Sequence, residues 1–325
     1  MTTRNRDEVR EFLTTRRAKV QPAQVDLAPG PNRRVPGLRR TEVALLAGVS
    51  VEYYSRLERG NLAGASDAVL HAIAGALQLD EAEREHLFDL ARAASVSPTR
   101  RQRRSPRHAV VRPSLQRALD AISGGPALVR NGRLDIIAAN TLGRALHADA
   151  YASPERPVNL ARHAFLDRQR SGLFYPDRDA SADAIVAILR AEAGRDPYDK
   201  DLQDLVGELS TRSQEFRAKW GEHNVRRHAT GVKHFRHPVV GALDLLFEAS
   251  ELMADPGWKL LIYTARPGTP TEDALRLLAS WAATQEQENQ AQEDQAQANT
   301  PEPQRAATAH NARNPTAARL TENLT

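Results

Sequence analysis

Residues 6–94 read as all-helical from the spacing of their apolar positions. In VLHAIAGALQL (69–79), Val69, Leu70, Ile73, Ala74 and Leu77 repeat at helical spacing, and Ser66 stands before them as an N-cap. DEAEREHLFDLARAA (80–94) opens on Asp80 and a run of acids, which favours a helix dipole, and Leu87, Phe88, Leu90 and Ala91 form its apolar stripe. Residues 112–284 follow a mixed pattern. PALVRNGRLDIIAAN sets Asn131-Gly132 between two apolar runs, which predicts a hairpin with a type I′ turn. A helical middle spans roughly residues 136–222. VKHFRHP, GALDLLFEAS and WKLLIYTAR then read as strands, punctuated by Pro238 and an Asp255-Pro256-Gly257 turn. Their short connections favour antiparallel pairing, and TEDALRLLASWAAT reads as a closing helix. The expected fold is multidomain: an all-α domain of five helices, then an α+β domain with helices packed on one antiparallel sheet.

Composition places the boundaries. SPTRRQRRSPRH (97–108) has two Ser-Pro steps, five Arg and no aliphatic residue, and reads as an exposed linker. From Gln285 onward the chain is rich in Gln, Ala, Asn and Thr, with Leu320 and Leu324 as its large aliphatic residues. Such a segment buries too little to offset chain entropy, so it is expected to be disordered, although its first dozen residues can extend the preceding helix. The expected divisions are therefore 1–96, a linker at 97–108, 109–284, and a tail at 285–325. A chain of 325 residues is also too long for one ordinary domain. No run of apolar residues is long enough to span a membrane, and MTTRNRDEVREF lacks the apolar centre of a signal peptide. A cytoplasmic, nucleoid-associated protein is expected. The chain has no cysteine, which excludes disulfides, thiol catalysis and Cys-based zinc or iron–sulfur sites.

The net charge of +4 is unevenly spread. Residues 1–108 hold 19 Lys and Arg against 13 Asp and Glu, residues 109–284 hold 23 against 22, and residues 285–325 hold 3 against 6. The excess of positive charge sits at the N-terminal end, as expected if that end meets phosphates.

RRTEVALLAGVSVEYYSRLERG (39–60) gives that charge a shape. Val43, Leu46 and Ala47 give a first helix one inner face, and Ala44 is small where two helices cross. Gly48 supplies the left-handed backbone that ends the helix, and Val49 plugs the turn. Ser50 caps a second helix whose inward positions are Tyr54 and Leu57, and Gly60 ends it. The outer face keeps Val51, Glu52, Ser55, Arg56 and Arg59, with Arg39 and Arg40 at the start of the preceding helix. A helix presented this way fits the DNA major groove. Arg56 suits guanine edges, Glu52 a cytosine amino group and Val51 a thymine methyl, while Arg39, Arg40 and the Ser50 hydroxyl suit phosphates.

The segment resembles the Cro/C1 (xenobiotic-response-element) helix-turn-helix family, of lambda-repressor-like fold. That resemblance implies base contacts at Val51, Glu52 and Arg56, with Arg40 also touching DNA. It further implies a buried acid at Glu58 paired with Arg17 of the first helix. A narrower resemblance runs through PGLRRTEVALLAGVSVEYYSRLERG, RPSLQRALDAI, LVGELSTRSQEFRAKWGEHNVRRH, GVKHFRHPVVGALDLLFE and YTARPGTPTEDALRLLASWAAT. Over roughly residues 9–284 the chain is similar to the MmyB-like regulators of actinobacteria. This implies a PAS-like C-terminal domain that binds a small apolar or fatty-acid-like ligand. Three positions depart from the pattern: Ala65 stands where Pro is usual, Arg178 where Trp is common, and Asn224 where Asp is usual.

Other chemistry weighs less. His223, His228, His234 and His237 crowd together, but His234 and His237 are three apart in an extended segment and point to opposite faces, so no metal and no cofactor is expected. The acids of 190–209 lack the spacing of a calcium loop, and no GxSxG, GxxxxGK[ST] or GxGxxG is present, so an enzymatic domain finds no support. Trp220, Phe165, Leu166, Phe216 and Phe235 read first as core. They also suit the wall of a sensory pocket, with Arg226 or Arg162 as a carboxylate anchor. The expected function is a sequence-specific transcriptional regulator, not an enzyme, that binds a double-stranded operator as a homodimer and senses a small molecule. The alternative is an interaction module, antitoxin-like or sigma-binding, with a structural C-terminal domain.

Overall fold

A computed structural model describes residues 3–28, 35, 37–95, 111–222 and 230–298. The linker at 97–108, Arg226, His223, His228 and Asn224 lie outside the described residues. The described residues up to 95 form five α-helices: α1 (Thr3–Lys19), α2 (Arg40–Leu46), α3 (Val51–Glu58), α4 (Asp67–Ala76) and α5 (Glu81–Ser95), with a 3-10 turn at Pro22–Val25. The caps fall where the spacing put them. The Ser50 hydroxyl accepts from the Tyr53 amide at 3.0 Å and the Ser66 hydroxyl from Val69 at 3.4 Å, each satisfying a helix N-terminal donor. Gly48, at φ +64°, makes the turn between α2 and α3, a backbone that L side chains rarely adopt. Val9, Phe12, Leu38, Val43, Tyr54, Leu57, Leu70, Ile73, Leu87 and Leu90 close the core between these helices.

One position on α2 differs from expectation. Val43, Ala44 and Ala47 are buried, whereas Leu46 is 36% exposed and Leu45 72%. With only seven residues, α2 offers the core one narrow strip, filled by Val43 and its neighbour one turn on; Leu46 falls at the rim.

The second region begins with α6 (Pro113–Asp120), β1 (Ala127–Arg130) and β2 (Ile136–Ala139). Then come α7 (Thr141–Leu146), α8 (Ala148–Tyr151), α9 (Leu160–Leu166), α10 (Arg168–Phe174), α11 (Arg178–Arg195), α12 (Lys200–Arg212) and α13 (Gln214–Gly221). The chain closes with β3 (Thr230–His237), β4 (Gly241–Glu251), β5 (Lys259–Thr264) and α14 (Pro270–Ala298). The five strands are ordered β2-β1-β5-β4-β3, all antiparallel. Helices pack on one face, where Leu128, Phe235, Leu243, Leu245, Phe247, Leu261 and Tyr263 meet Phe165, Phe174, Val186, Leu189, Leu209 and Phe216. The other face carries Val129, Ala127 and Ala138 under Leu115 and Leu119 of α6. The helix after the sheet continues to Ala298, past the last aliphatic turn, through the Gln- and Glu-rich residues that the sequence allowed to extend it.

The β1–β2 hairpin is present, but its turn is not the two-residue Asn-Gly type. The connection runs from Asn131 to Asp135, and Leu134 rather than Gly132 takes the left-handed backbone, at φ +68°. The Asn131 carboxamide spans the loop, accepting from the Asp135 amide at 3.0 Å and donating to its carboxylate at 2.8 Å. At Gly132 the Glu192 side chain comes close: a Cβ there would lie 2.1 Å from it, so Glu192 would have to shift.

Candidate nucleic-acid interface and ligand site

Glu58 holds the two helices of the recognition motif in register. Its side chain, 1% exposed, receives Arg17 Nε at 2.8 Å, the Thr14 hydroxyl at 3.2 Å, and Arg40 Nε on its other oxygen. Arg17 also donates to the Leu38 carbonyl at 2.9 Å. The Arg17–Glu58 pair that the resemblance implied is therefore formed, and Arg40 joins it. Three donors satisfy the lone pairs of this buried carboxylate. Arg40 is raised above the usual arginine range by its hydrogen bond to Glu58. Its side chain remains 54% exposed, so its remaining donors face outward.

On this scaffold Arg39, Ser50, Glu52, Arg56 and Arg59 are exposed. The Arg56 guanidinium lies 4.8 Å from the Tyr53 ring centroid, a cation–π contact that steers it over the surface of α3. The Ser50 hydroxyl, an acceptor at the cap, retains its own proton for donation. Val51 and Ser55 are half-buried, and Val51 packs against the helical core. The Arg39 amide donates to Glu42 at 2.6 Å, fixing the start of α2.

The second region distributes its predicted residues differently. Arg162 is paired: it donates to Glu208 at 2.8 Å and lies 3.6 Å from Glu155. It lines an open cleft of about 170 Å³ beside His163, Asp167 and Arg212. Phe165 and Phe216 are buried and meet edge to face at 5.1 Å, so both are core. Trp220 stacks on Phe216 at 5.5 Å and stays half-buried. Arg178, which departs from the pattern the sequence otherwise resembles, pairs with Glu215 at 2.6 Å and donates to the Ser171 hydroxyl at 3.3 Å. His234 is exposed beside Asp244 at 2.6 Å, while the buried His237 ring contacts the Ala145 carbonyl at 3.1 Å. No group of His, Asp and Glu able to hold a metal is formed among the described residues.

What the sequence did not single out is an aromatic cluster on the inner sheet face. Phe174 meets Phe235 at 5.0 Å and Tyr175 at 4.9 Å, and Phe235 meets Tyr263 at 5.9 Å. His147 enters this cluster buried, and neither of its ring nitrogens has a hydrogen-bond partner among the described residues. Burial lowers its pKa from 6.5 to about 3, with His163, Lys233 and His237 adding to the effect, so it stays neutral. The signal was weak because these residues are scattered over 147–263, and only the packing of helices on the sheet brings them together.

Helix α11 joins the two regions. Its Ala182, Ile185, Val186 and Leu189 belong to the second core, while its Ala191 packs against the helical core of residues 9–94. Between them Arg190 is completely buried, bonded to Glu8 of α1 and to the Trp220 carbonyl, with its guanidinium 4.2 Å from the Trp220 ring.

Residues 8–87 match a family model described as a helix-turn-helix domain. Residues 111–278, just over half of the chain, match the model of the MmyB-like transcription regulator ligand binding domain. No curated protein matches the chain.

Proposed function

This chain belongs to the family of MmyB-like transcription regulators, a DNA-binding helix-turn-helix joined to a ligand-binding domain, and from that premise we propose a one-component sensor. Residues 1–96 bind a roughly palindromic operator as a homodimer, with Glu52 and Arg56 reading bases beside Val51 and Ser55. Arg39, Arg40 and Ser50 hold phosphates. Residues 109–284 take a small apolar or fatty-acid-like metabolite. The observation that carries the DNA-binding half is the exposed edge of α3 above the Glu58 network, a rigid polar helix beside a cationic one. Gel retardation of genomic fragments at rising salt tests it. Retention should fall steeply with salt as arginines displace counterions, and fragments sequenced from the complex should share one motif. Complexes without sequence preference would remove this reading.

A second reading draws on Leu45 and Leu46, apolar and exposed next to this surface, which suit a docked protein. Replacing both by Ser should leave DNA retention unchanged if DNA is the partner.

The ligand signal reaches DNA through α11. A ligand that shifts α11 moves Arg190, and with it Glu8 on α1, so the two recognition helices of a dimer change their separation. Arg190→Leu should leave both binding events in place while DNA affinity stops responding to ligand, measured by fluorescence anisotropy.

A further inference from the structure

A cavity of about 60 Å³ lies where α1 of the helical region meets α11, α12 and α13 of the second region. Asn5 of α1 lines it at 2% exposure, and neither polar atom of its side chain has a hydrogen-bond partner among the described residues. A buried carboxamide without a partner is costly, and in native proteins such groups are met by water or by a ligand. The second region lines the same cavity with Asp196, Asp199 and Gln203, and with the apolar side chains of Leu202 and Val206. Asp199 is already engaged: it caps α12 through the Leu202 amide at 3.1 Å and pairs with Arg133 at 2.9 Å. Glu8, the acid that α1 contributes, is paired with Arg190. Asp196 is different. It is exposed, accepts the Tyr198 amide on one oxygen at 3.2 Å, and forms no salt bridge among the described residues. Gln203 donates its amide to the Pro197 carbonyl at 2.7 Å, which leaves its oxygen as an acceptor. No Lys, Arg or His lines the cavity among the described residues.

We propose that this junction cavity is a second ligand site, taking the ammonium of a short primary amine whose alkyl chain lies on Leu202 and Val206. An ammonium carries three donors, and the Asn5, Gln203 and Asp196 oxygens supply three acceptors, one of them charged. An anion would instead meet the carboxylates of Glu8, Asp196 and Asp199 with no cation in the lining. About 60 Å³ is several times what one water requires and too little for a long chain, so the class is limited to amines of a few carbons. Because Asn5 belongs to α1 and Asp196 and Gln203 follow α11, an amine held by all three ties the helical region to the second region. The site is apart from the inner sheet face and does not depend on the metabolite sensing proposed above.

The test uses the full chain with n-butylammonium chloride and 1-butanol, titrated by calorimetry at constant ionic strength against wild type, Asp196→Asn, Asp196→Glu and Asn5→Leu. Wild type should bind butylammonium about tenfold or more tightly than 1-butanol, as a charge-assisted contact implies. Asp196→Asn, at an exposed position outside both cores, should weaken butylammonium about tenfold while leaving 1-butanol within about twofold. Asp196→Glu should keep the preference for the amine. Asn5→Leu should remove it as Asp196→Asn does; should that variant not fold, the two Asp196 variants alone decide. Equal affinity for the two probes in wild type, or an undiminished preference in Asp196→Asn, overturns the site. Binding of neither probe overturns it as well, and leaves a cavity that water fills.

Discussion

Buried charge is handled in opposite ways in the two regions of this protein. In the helical region Glu58, 1% exposed, meets two arginines and a threonine hydroxyl, so a costly charge is neutralised and hydrogen-bonded. Against the inner sheet face the half-buried Lys233 lies over the Phe247 and Tyr263 rings and the buried His147 lies beside Phe174 and Phe235, neither with an ionic partner among the described residues. The first pattern is that of a strut: every donor and acceptor is used, and the surface it supports is free to act. The second leaves polar groups in an apolar setting without that compensation. Satisfied buried polarity fixes shape, and unsatisfied buried polarity lowers stability.

Substitutions should separate the two patterns by sign. Glu58→Gln should destabilise the protein by about 3–5 kcal/mol in urea unfolding, because it leaves Arg17 buried beside an uncharged amide. A loss below about 1 kcal/mol would mean that the network is no strut. The His147 imidazole should produce the next largest effect. Its folded pKa, about 3, lies below its unfolded value of 6.5, so below pH 6.5 the unfolded chain takes up the extra proton. Its contribution is intact above that pH and is lost toward pH 3, by about 1.4 kcal/mol per unit. His147→Leu should flatten the fall in urea midpoint over this window by one proton's worth; His163 and His237, also lowered by burial, sustain the rest. An unchanged slope would show that His147 is solvated. Arg56→Ala should cost about 1–3 kcal/mol in operator affinity and relax preference at one base pair, whereas Arg39→Ala should weaken all sequences alike, as read by competition binding. Smallest of all, Lys233→Met should leave unliganded stability unchanged or higher, opposite in sign to Glu58→Gln. A clear destabilisation would erase the contrast between the regions.

Much of the helical region was legible in sequence because it is built from local rules. The Ser50 and Ser66 caps, the Gly48 turn and the inward Tyr54 and Leu57 each depend on neighbours within four residues. Leu46 was misplaced because α2 is short enough for its rim to be solvated. In the second region the five-stranded antiparallel sheet and its helices could be expected, but the Asn131-Gly132 turn could not. That loop is set by a side chain reaching from Asn131 to Asp135 and by the approach of Glu192, 60 residues on. The pairing of Arg162 was hidden for a similar reason, because only the fold brings Glu208 to it.

The amino-acid order alone determined the helix-turn-helix, the polar edge of its second helix, the uneven charge and the antiparallel character of the strands, because periodicity, capping and turn chemistry act over a few residues. Tertiary structure alone decided that β1 lies beside β5, that α11 packs against α5 and ties Arg190 to Glu8, and which buried cations find a carboxylate. Those outcomes depend on which distant segments share a desolvated interior, where the energy of a charge is set by what surrounds it and not by its neighbours along the chain.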